Sequence, residues 1–570
     1  MRIKKALQAI TDIIDNQNIV CVAWSGGKDS SVVLDLVLSA AAAHPCPTPI
    51  IITHANTGIE NPEIAQYVGK ELDSVRRFAK KHNIPVEIEI STPGISSSWA
   101  VKVIGGRALP SFCNNNRDCS VDLKVLPQKR LRKQIFKKYA DRTAVTVIGT
   151  RFSESSVRNK KMQDRKESDV LPWTGKDKSL YLSPIANWST EDVWQYLLEQ
   201  ENSGTGYSDF QETFRIYSDA TISTEVDATL LATGNKTPGC GPRFGCFLCC
   251  VTSDQSMENL IEGNPERYGY MRGLNDLQKY LLATQYDFER RDWFGRSIDD
   301  DGYITICPDV YSPQMLEDLL LYCLTLDVEE QEASYDEGID RRFQIINAQT
   351  LIAIDAMWSL HGRHKPFHAL YCYDLVYDKR QRFHVPAIAP IKPSKMPAPR
   401  KYFVGQAWEQ DKESGLRNTT LELVNGPSSP CMATKTLGNG RIVMDCEISD
   451  LFEVNEETAW LILDPDMGEL DTMLERFHKS SDYFPTHGYT HYVGLGAISI
   501  SKGKEWVVDK ILRRSNWKER NGLGPGVHYS KILNKTIEQK GKKQLFLFPD
   551  IYKLPRRVQI PVSLLEAVGA

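Results

Sequence analysis

One junction limits what this chain can fold into: NIVCVAW, SGGKDS and SVVLDLVLSAAAA run together without a break over residues 18–43. The β-branched run at 18–24 predicts a buried strand, and the Leu-, Val- and Ala-rich run at 29–43 predicts a helix. A strand that enters a helix directly through a glycine turn is the first half of a βα unit. The alternation then repeats. Residues 49–54 (PIIITH), 85–90 and 143–149 (TAVTVIG) read as further strands, and 61–82 as a long amphipathic helix. Short strands with helical crossovers predict a parallel sheet in a doubly wound α/β domain. Such sheets bind ligands beyond the carboxyl ends of their strands. Residues 24–30, 55–62 and 149–158 are therefore expected to converge.

The six residues Ser25, Gly26, Gly27, Lys28, Asp29 and Ser30 look built for a phosphate. Glycines let backbone amides approach an anion, the amides opening a helix point at it, and Lys28 adds a point charge. Lys28 is followed by Asp29, so the spacing is not that of a Walker A loop, nor is it G-x-G-x-x-G. A plain tight turn would account for the glycines but not for so much polar chemistry in one place.

At 570 residues the chain has material for two to four domains of roughly 150 residues each. Its net charge of −4 confines any nucleic-acid contact to local patches. One such patch is KVLPQKRLRKQIFKK (124–138), with Lys124, Lys129, Arg130, Arg132 and Lys133 and no acidic residue; RNKKMQDRK (158–166) is another. These loops suit a phosphate backbone, and equally a solvated helix face. No apolar run approaches the roughly 18 residues of a membrane span. The first residues carry Ile3, Leu7, Ile10, Ile13 and Ile14 at helical spacing, interrupted by Asp12 and Asp15, which is not a signal peptide; the expected location is cytoplasmic.

Thirteen cysteines in a reducing compartment should mostly be thiols. Most are scattered, but Cys113 and Cys119 form one group, and Cys240, Cys246, Cys249 and Cys250 another, in CGPRFGCFLCC. Cys240, Cys246 and Cys249 stand at C-x5-C-x2-C, a metal-ligand spacing that suits zinc or an iron–sulfur cluster. A fourth thiolate is expected from Cys119 first, then Cys113 or Cys250. Residues 187–200 begin with a capping pattern, Ser189 followed by Asp192, and continue as a helix. The expected organisation is an α/β domain over 1–260, a mainly helical extension over 261–385, a Pro- and Lys-rich connection at 386–401, and an α+β region over 402–570.

SGGKDS after a strand resembles the PP-loop of the N-type ATP pyrophosphatases, a superfamily of HUP-type α/β domains that includes the sulfonucleotide (PAPS and APS) reductases and tRNA-thiolating enzymes. HANTGIENPE (54–63) resembles a second-strand motif of the reductases, with Asn56 where an Asp is usual. GTRFSESSVR (149–158) resembles their Gly-x-Arg motif. The resemblance implies that Ser25–Ser30 hold the pyrophosphate end of ATP with Asn56, Gly149, Arg151 and Arg158. It implies catalytic roles for Lys28, Asp29 and Arg151. CSVDLKVLP (119–127) and RFGCFLC (243–249) together are most similar to DndC- and SspD-type proteins of bacterial DNA phosphorothioation. That likeness implies a 4Fe–4S cluster on Cys119, Cys240, Cys246 and Cys249, ATP with magnesium, DNA as substrate, a cysteine desulfurase as sulfur donor and further phosphorothioation proteins as partners. The expected reaction is adenylation of a DNA backbone phosphate, so that sulfur can replace a non-bridging oxygen. A PAPS or APS reductase is the first alternative, although its nucleophilic Cys-Gly motif is not seen: the last cysteine is Cys446. A nucleotide- and cluster-binding scaffold of a defence complex is the second. Thiolation of tRNA is disfavoured because no paired C-x2-C modules occur.

Overall fold

The computed structural model describes residues 2–44, 46–110, 118–220, 245–250, 255–298, 302–394, 400–405, 408, 416, 434–436, 442–444 and 451–527. Two compact units result: Met1–Pro93 with Asp118–Gln278, and Gly94–Arg117 with Lys279–Ala570. The first unit runs to Gln278, and the second takes up the chain from Lys279.

The first unit is a six-stranded sheet in the order β3-β2-β1-β4-β6-β5. Its strands are β1 (Ile19–Ala23), β2 (Ile50–Ala55), β3 (Val86–Ser91), β4 (Ala144–Val147), β5 (Trp173–Thr174) and β6 (Leu180–Leu182). Every pairing is parallel except β5 with β6. β1 is central: Val20 lies opposite Ile50 of β2 on one side and Val145 of β4 on the other. This is the doubly wound architecture that the strand–helix alternation predicts. The strand order reverses between β1 and β4, so the crevice beyond their carboxyl ends is the switch point at which such folds place ligands.

The helices follow from local chemistry. α1 (Arg2–Asp15) buries one stripe, Ala6, Ala9, Ile10, Ile13 and Ile14. α2 (Lys28–Ala43) has no polar stripe and is buried on nearly every side, its Val, Leu and Ala side chains filling the core beside β1. α3 (Pro62–His82) starts where the Asn61 side chain accepts from the Glu63 amide, with Pro62 at its first position. It stops at Asn83, whose left-handed backbone (φ 54°) closes the last turn. The helix Thr190–Ser203 opens with a reciprocal capping box between Ser189 and Asp192.

The second unit contains the helices Pro313–Glu337, Ala348–Leu360 and His368–Tyr377. It also holds a three-stranded antiparallel sheet of β7 (Arg291–Ile298), β8 (Tyr303–Tyr311) and β9 (Arg400–Phe403). The hairpin lies within the stretch expected to be mainly helical. β8 buries alternate residues, and this period of two is what holds YITICPDVY as a strand. Among the described residues, no helix is long and apolar enough to cross a membrane.

Candidate functional site: a glycine loop and a neighbouring cysteine group

The loop Ser25–Ser30 caps the carboxyl end of β1. Gly26 turns the chain at φ 75°, and a Cβ there would lie 2.9 Å from Val68 Cγ2. Only glycine meets both demands. Ser30 Oγ donates to the Gly27 carbonyl at 2.8 Å and accepts from the Ser25 amide at 3.2 Å. These bonds fix the loop as a hydroxyl-lined bend at the start of α2. Gly149, just past β4, packs against the same bend: a Cβ there would stand 2.8 Å from the Asp29 carbonyl oxygen. The loops after β1 and β4 are thus pressed together because residue 149 has no side chain.

Arg151 organises the junction. It is only 2% exposed, and its Nε donates to Asp29 Oδ1 at 2.8 Å. Its second arm reaches Ser153 Oγ at 2.9 Å and Thr190 Oγ1 at 3.3 Å, and Ser153 in turn donates to the Trp188 carbonyl at 2.9 Å. A guanidinium spread over three oxygens is held rigid and presents fixed positive charge. Lys28 Nζ sits 3.8 Å from Asp29 Oδ2, 5.3 Å from the Tyr217 ring centre and 5.9 Å from that of Trp194. The Lys28 amide donates to Tyr217 Oη at 3.4 Å. Burial pushes the Tyr217 phenol up to about 12, so it is a neutral hydroxyl at ordinary pH.

Two other expected nucleotide ligands have local partners. Asn56 is exposed, and its Oδ1 accepts from the Gly58 amide at 2.8 Å, which shapes the loop after β2. Arg158 pairs with Glu154 one turn earlier on the surface. Trp194, Tyr217, Thr190 and Ser153 escaped sequence reasoning. The sequence of the helix bearing Thr190 and Trp194 shows a capping signal and no sign of chemistry, and only the fold brings it over the lysine.

The cysteines lie next to the loop that follows β2. Glu60 and Cys246 form an antiparallel bridge, and the Phe247 amide donates to the Ile59 carbonyl at 2.9 Å. Glu60 Oε1 accepts from Thr57 Oγ1 at 2.7 Å, and both of its oxygens accept from the Thr57 amide. Cys246 Sγ lies 3.9 Å from Thr57 Oγ1. Burial raises the Cys246 thiol to about 11, against the pull of Lys124. Cys119 is raised by burial and then by the neighbouring Cys249. Cys119, Cys246 and Cys249 therefore form one electrostatically coupled group, placed by separate segments. Cys119 lies in the short helical turn Asp118–Ser120, and the next turn, Val121–Val125, is π-wound, an irregularity frequent at functional sites. Cys250 is buried, and its thiol donates to the Leu248 carbonyl at 3.7 Å. Cys240 and Cys113 lie outside the described residues. Three half-buried thiols brought together from separate segments are what a thiolate-bound group would deprotonate on binding, so the three residues fit one.

On the helix Leu126–Lys138, Lys129 and Lys133 are exposed and Arg130 is half-buried. Arg132 is committed to Tyr181 Oη and to Asp177 Oδ2 at 3.1 Å. Lys124 is exposed and faces the Cys246 thiol electrostatically.

Fold and loop together define a doubly wound α/β domain with a phosphate-type glycine loop at its switch point. Residues 19–203 match the family described as the phosphoadenosine phosphosulfate reductase domain, so this part of the chain is PAPS reductase-like. The adenosine 5'-phosphosulfate reductase of Salinibacter ruber is 34% identical over 47 residues, 8% of this chain. The chain spans only 19% of that relative's length. Among solved structures, a PAPS reductase from Candida auris in phosphate complex is 14% identical, covering 34% of this chain and 79% of that one, with a TM-score of 0.22. The U34-tRNA thiolase NcsA from Methanococcus maripaludis, with its [4Fe-4S] cluster, is 15% identical, covering 50% and 79%, with a TM-score of 0.25.

Proposed function

We propose that this chain is an ATP-dependent sulfurtransferase that adenylates a DNA backbone phosphate during phosphorothioate modification in the cytoplasm. The observation that carries the reading is the cysteine group on the loop after β2, beside the glycine loop of a PAPS reductase-like domain. ATP would place its β- and γ-phosphates, with magnesium, on the amides of Gly26–Ser30 and on Lys28. Arg151, braced by Asp29, would face the α-phosphate. A non-bridging DNA oxygen attacks the α-phosphorus, the bond to the β-phosphate oxygen breaks, and pyrophosphate leaves. Persulfide sulfur from a cysteine desulfurase, reduced by two electrons from a thiol reductant to the sulfide level, then attacks the DNA phosphorus; the phosphorus–oxygen bond to AMP breaks and AMP leaves. The protein's part is positioning and charge stabilisation.

A 4Fe–4S cluster on Cys119, Cys246, Cys249 and a fourth cysteine would supply the sulfur chemistry when bound. An all-thiolate donor set with C-x2-C spacing at Cys246 and Cys249 suits such a cluster. Lys129 and Lys133 offer charge to a DNA backbone; other phosphorothioation proteins would supply target selection.

The match over 19–203 and the short likeness to an APS reductase also support reduction of a sulfonucleotide bound in the same loop. One assay separates the readings. The chain incubated with ATP and DNA is expected to release pyrophosphate, and Lys28→Ala to lower that rate by about 100-fold or more. Sulfite formed from PAPS or APS without pyrophosphate release would replace the proposal with the reductase; turnover of neither would leave a binding scaffold.

A further inference from the structure

A second group of ligand-type side chains lies in the other compact unit. Glu317 comes from the helix Pro313–Glu337, His364 from the turn before the next helix, and His368 from the first position of His368–Tyr377. One donor atom from each, the three lying within 4.8 Å of one another, makes this the single such group among the described residues. His368 Nε2 is 3.3 Å from Glu317 Oε2.

The tautomers are the telling feature. The ring of His364 bonds to the backbone of Pro313, which can only accept, while its Nε2 is buried without a hydrogen-bond partner. His368 Nδ1 lies 3.0 Å from His478 Nε2. The ring of His368 is thus engaged on its Nδ1 side by His478, and that of His364 by the backbone of Pro313. That leaves the two Nε2 atoms converging beside a carboxylate. His368 Nε2 has no aligned hydrogen bond even to Glu317. A buried ring nitrogen without a hydrogen-bond partner is destabilising, and a shared ligand would recover that loss at both. Metal-bound histidines are oriented in this same way, by an acceptor on the far nitrogen. Trp358, fully buried, walls the group with its ring centre 4.4 Å from that of His364. The nearby Arg363 charge is neutralised by Asp292.

We propose that Glu317, His364 and His368 bind a divalent first-row metal ion, zinc above others, with His478 orienting His368. Zinc bonds of about 2.0–2.1 Å set tetrahedral donors roughly 3.3 Å apart, the separation already found between His368 and Glu317. Two imidazoles and a carboxylate leave a fourth position for water or another ligand. The site is independent of the cysteine group and of the reaction proposed above.

The test uses the full chain stripped with a chelator and titrated with Co2+ as the probe. Wild type should take up one equivalent more than His364→Gln or Glu317→Gln, with visible bands of a nitrogen and oxygen site. Cys246→Ala should keep that equivalent. His478→Gln should keep the stoichiometry and weaken binding by about 10–100-fold. Equal cobalt uptake and equal spectra in wild type and both ligand variants would overturn the site. Should those variants fail to fold, X-ray absorption of zinc-loaded Cys246→Ala decides: imidazole scattering in a nitrogen and oxygen shell supports the site, and its absence sinks it.

Discussion

The glycine loop of the first unit and the histidine group of the second are built in opposite ways. Ser25–Ser30 are consecutive, and their chemistry lies in backbone amides and one lysine, posed by a strand end and a helix start. The histidine group draws on residues 317, 364 and 368, with support from 313 and 478, and its chemistry lies wholly in side chains. A backbone site survives as a motif because its geometry is local. A side-chain site exists only once distant segments pack.

The comparison breaks most sharply at Lys28. If the loop is the reaction centre, Lys28→Ala loses about 100-fold or more in pyrophosphate release while the chain still binds Co2+ in the second unit. Loss of both together would mean that the loop is structural. Arg151→Ala tests whether the backbone site also depends on tertiary bonds. It strips a 2% exposed guanidinium from Asp29, Ser153 and Thr190 and is expected to cost about 3 kcal/mol, read as a lower urea midpoint. An unchanged midpoint would make the Asp29 pair a surface contact in effect.

The two units should also respond differently to pH. In the second, Asp327 accepts from the Ile345 and Ile346 amides at 2.7 Å each, and burial raises its carboxyl from 3.8 to about 7. In the first, burial raises Asp35 to about 6 despite Tyr196. A folded-state pKa above the unfolded value gives stability that is complete below the unfolded pKa and lost as pH rises through the folded one. The stability difference between wild type and Asp327→Asn should thus shrink between about pH 4 and pH 7, and that for Asp35→Asn should level off about one unit sooner. A flat difference in melting midpoint over this window, for either residue, would contradict its raised pKa. The smallest effect is expected from Lys129→Gln: DNA binding a few-fold weaker, with the salt slope lower by about 1. An unchanged slope removes Lys129 from the interface.

Much of the first unit was legible in advance. The runs at 19–23 and 50–55 are continuous and apolar because both sheet faces are covered, and Ser189 with Asp192 is a local capping signal. The hairpin β7–β8 was not. Its strands interleave polar residues, and β7 carries register shifts that blur the period of two. Trp194 and Tyr217 could not be assigned to Lys28, because a helix read in isolation shows which residues it buries but not what lies across from it.

Sequence alone determined the α/β alternation, the phosphate-type loop at 25–30 and the grouping of cysteines near 246, since each depends on neighbours along the chain. Tertiary structure decided the rest. It set Gly149 against Asp29, braced Arg151 with Thr190, placed Cys246 on Glu60 and turned two histidine nitrogens toward Glu317. Those contacts depend on distances between segments far apart in sequence, which packing fixes and local propensity does not encode.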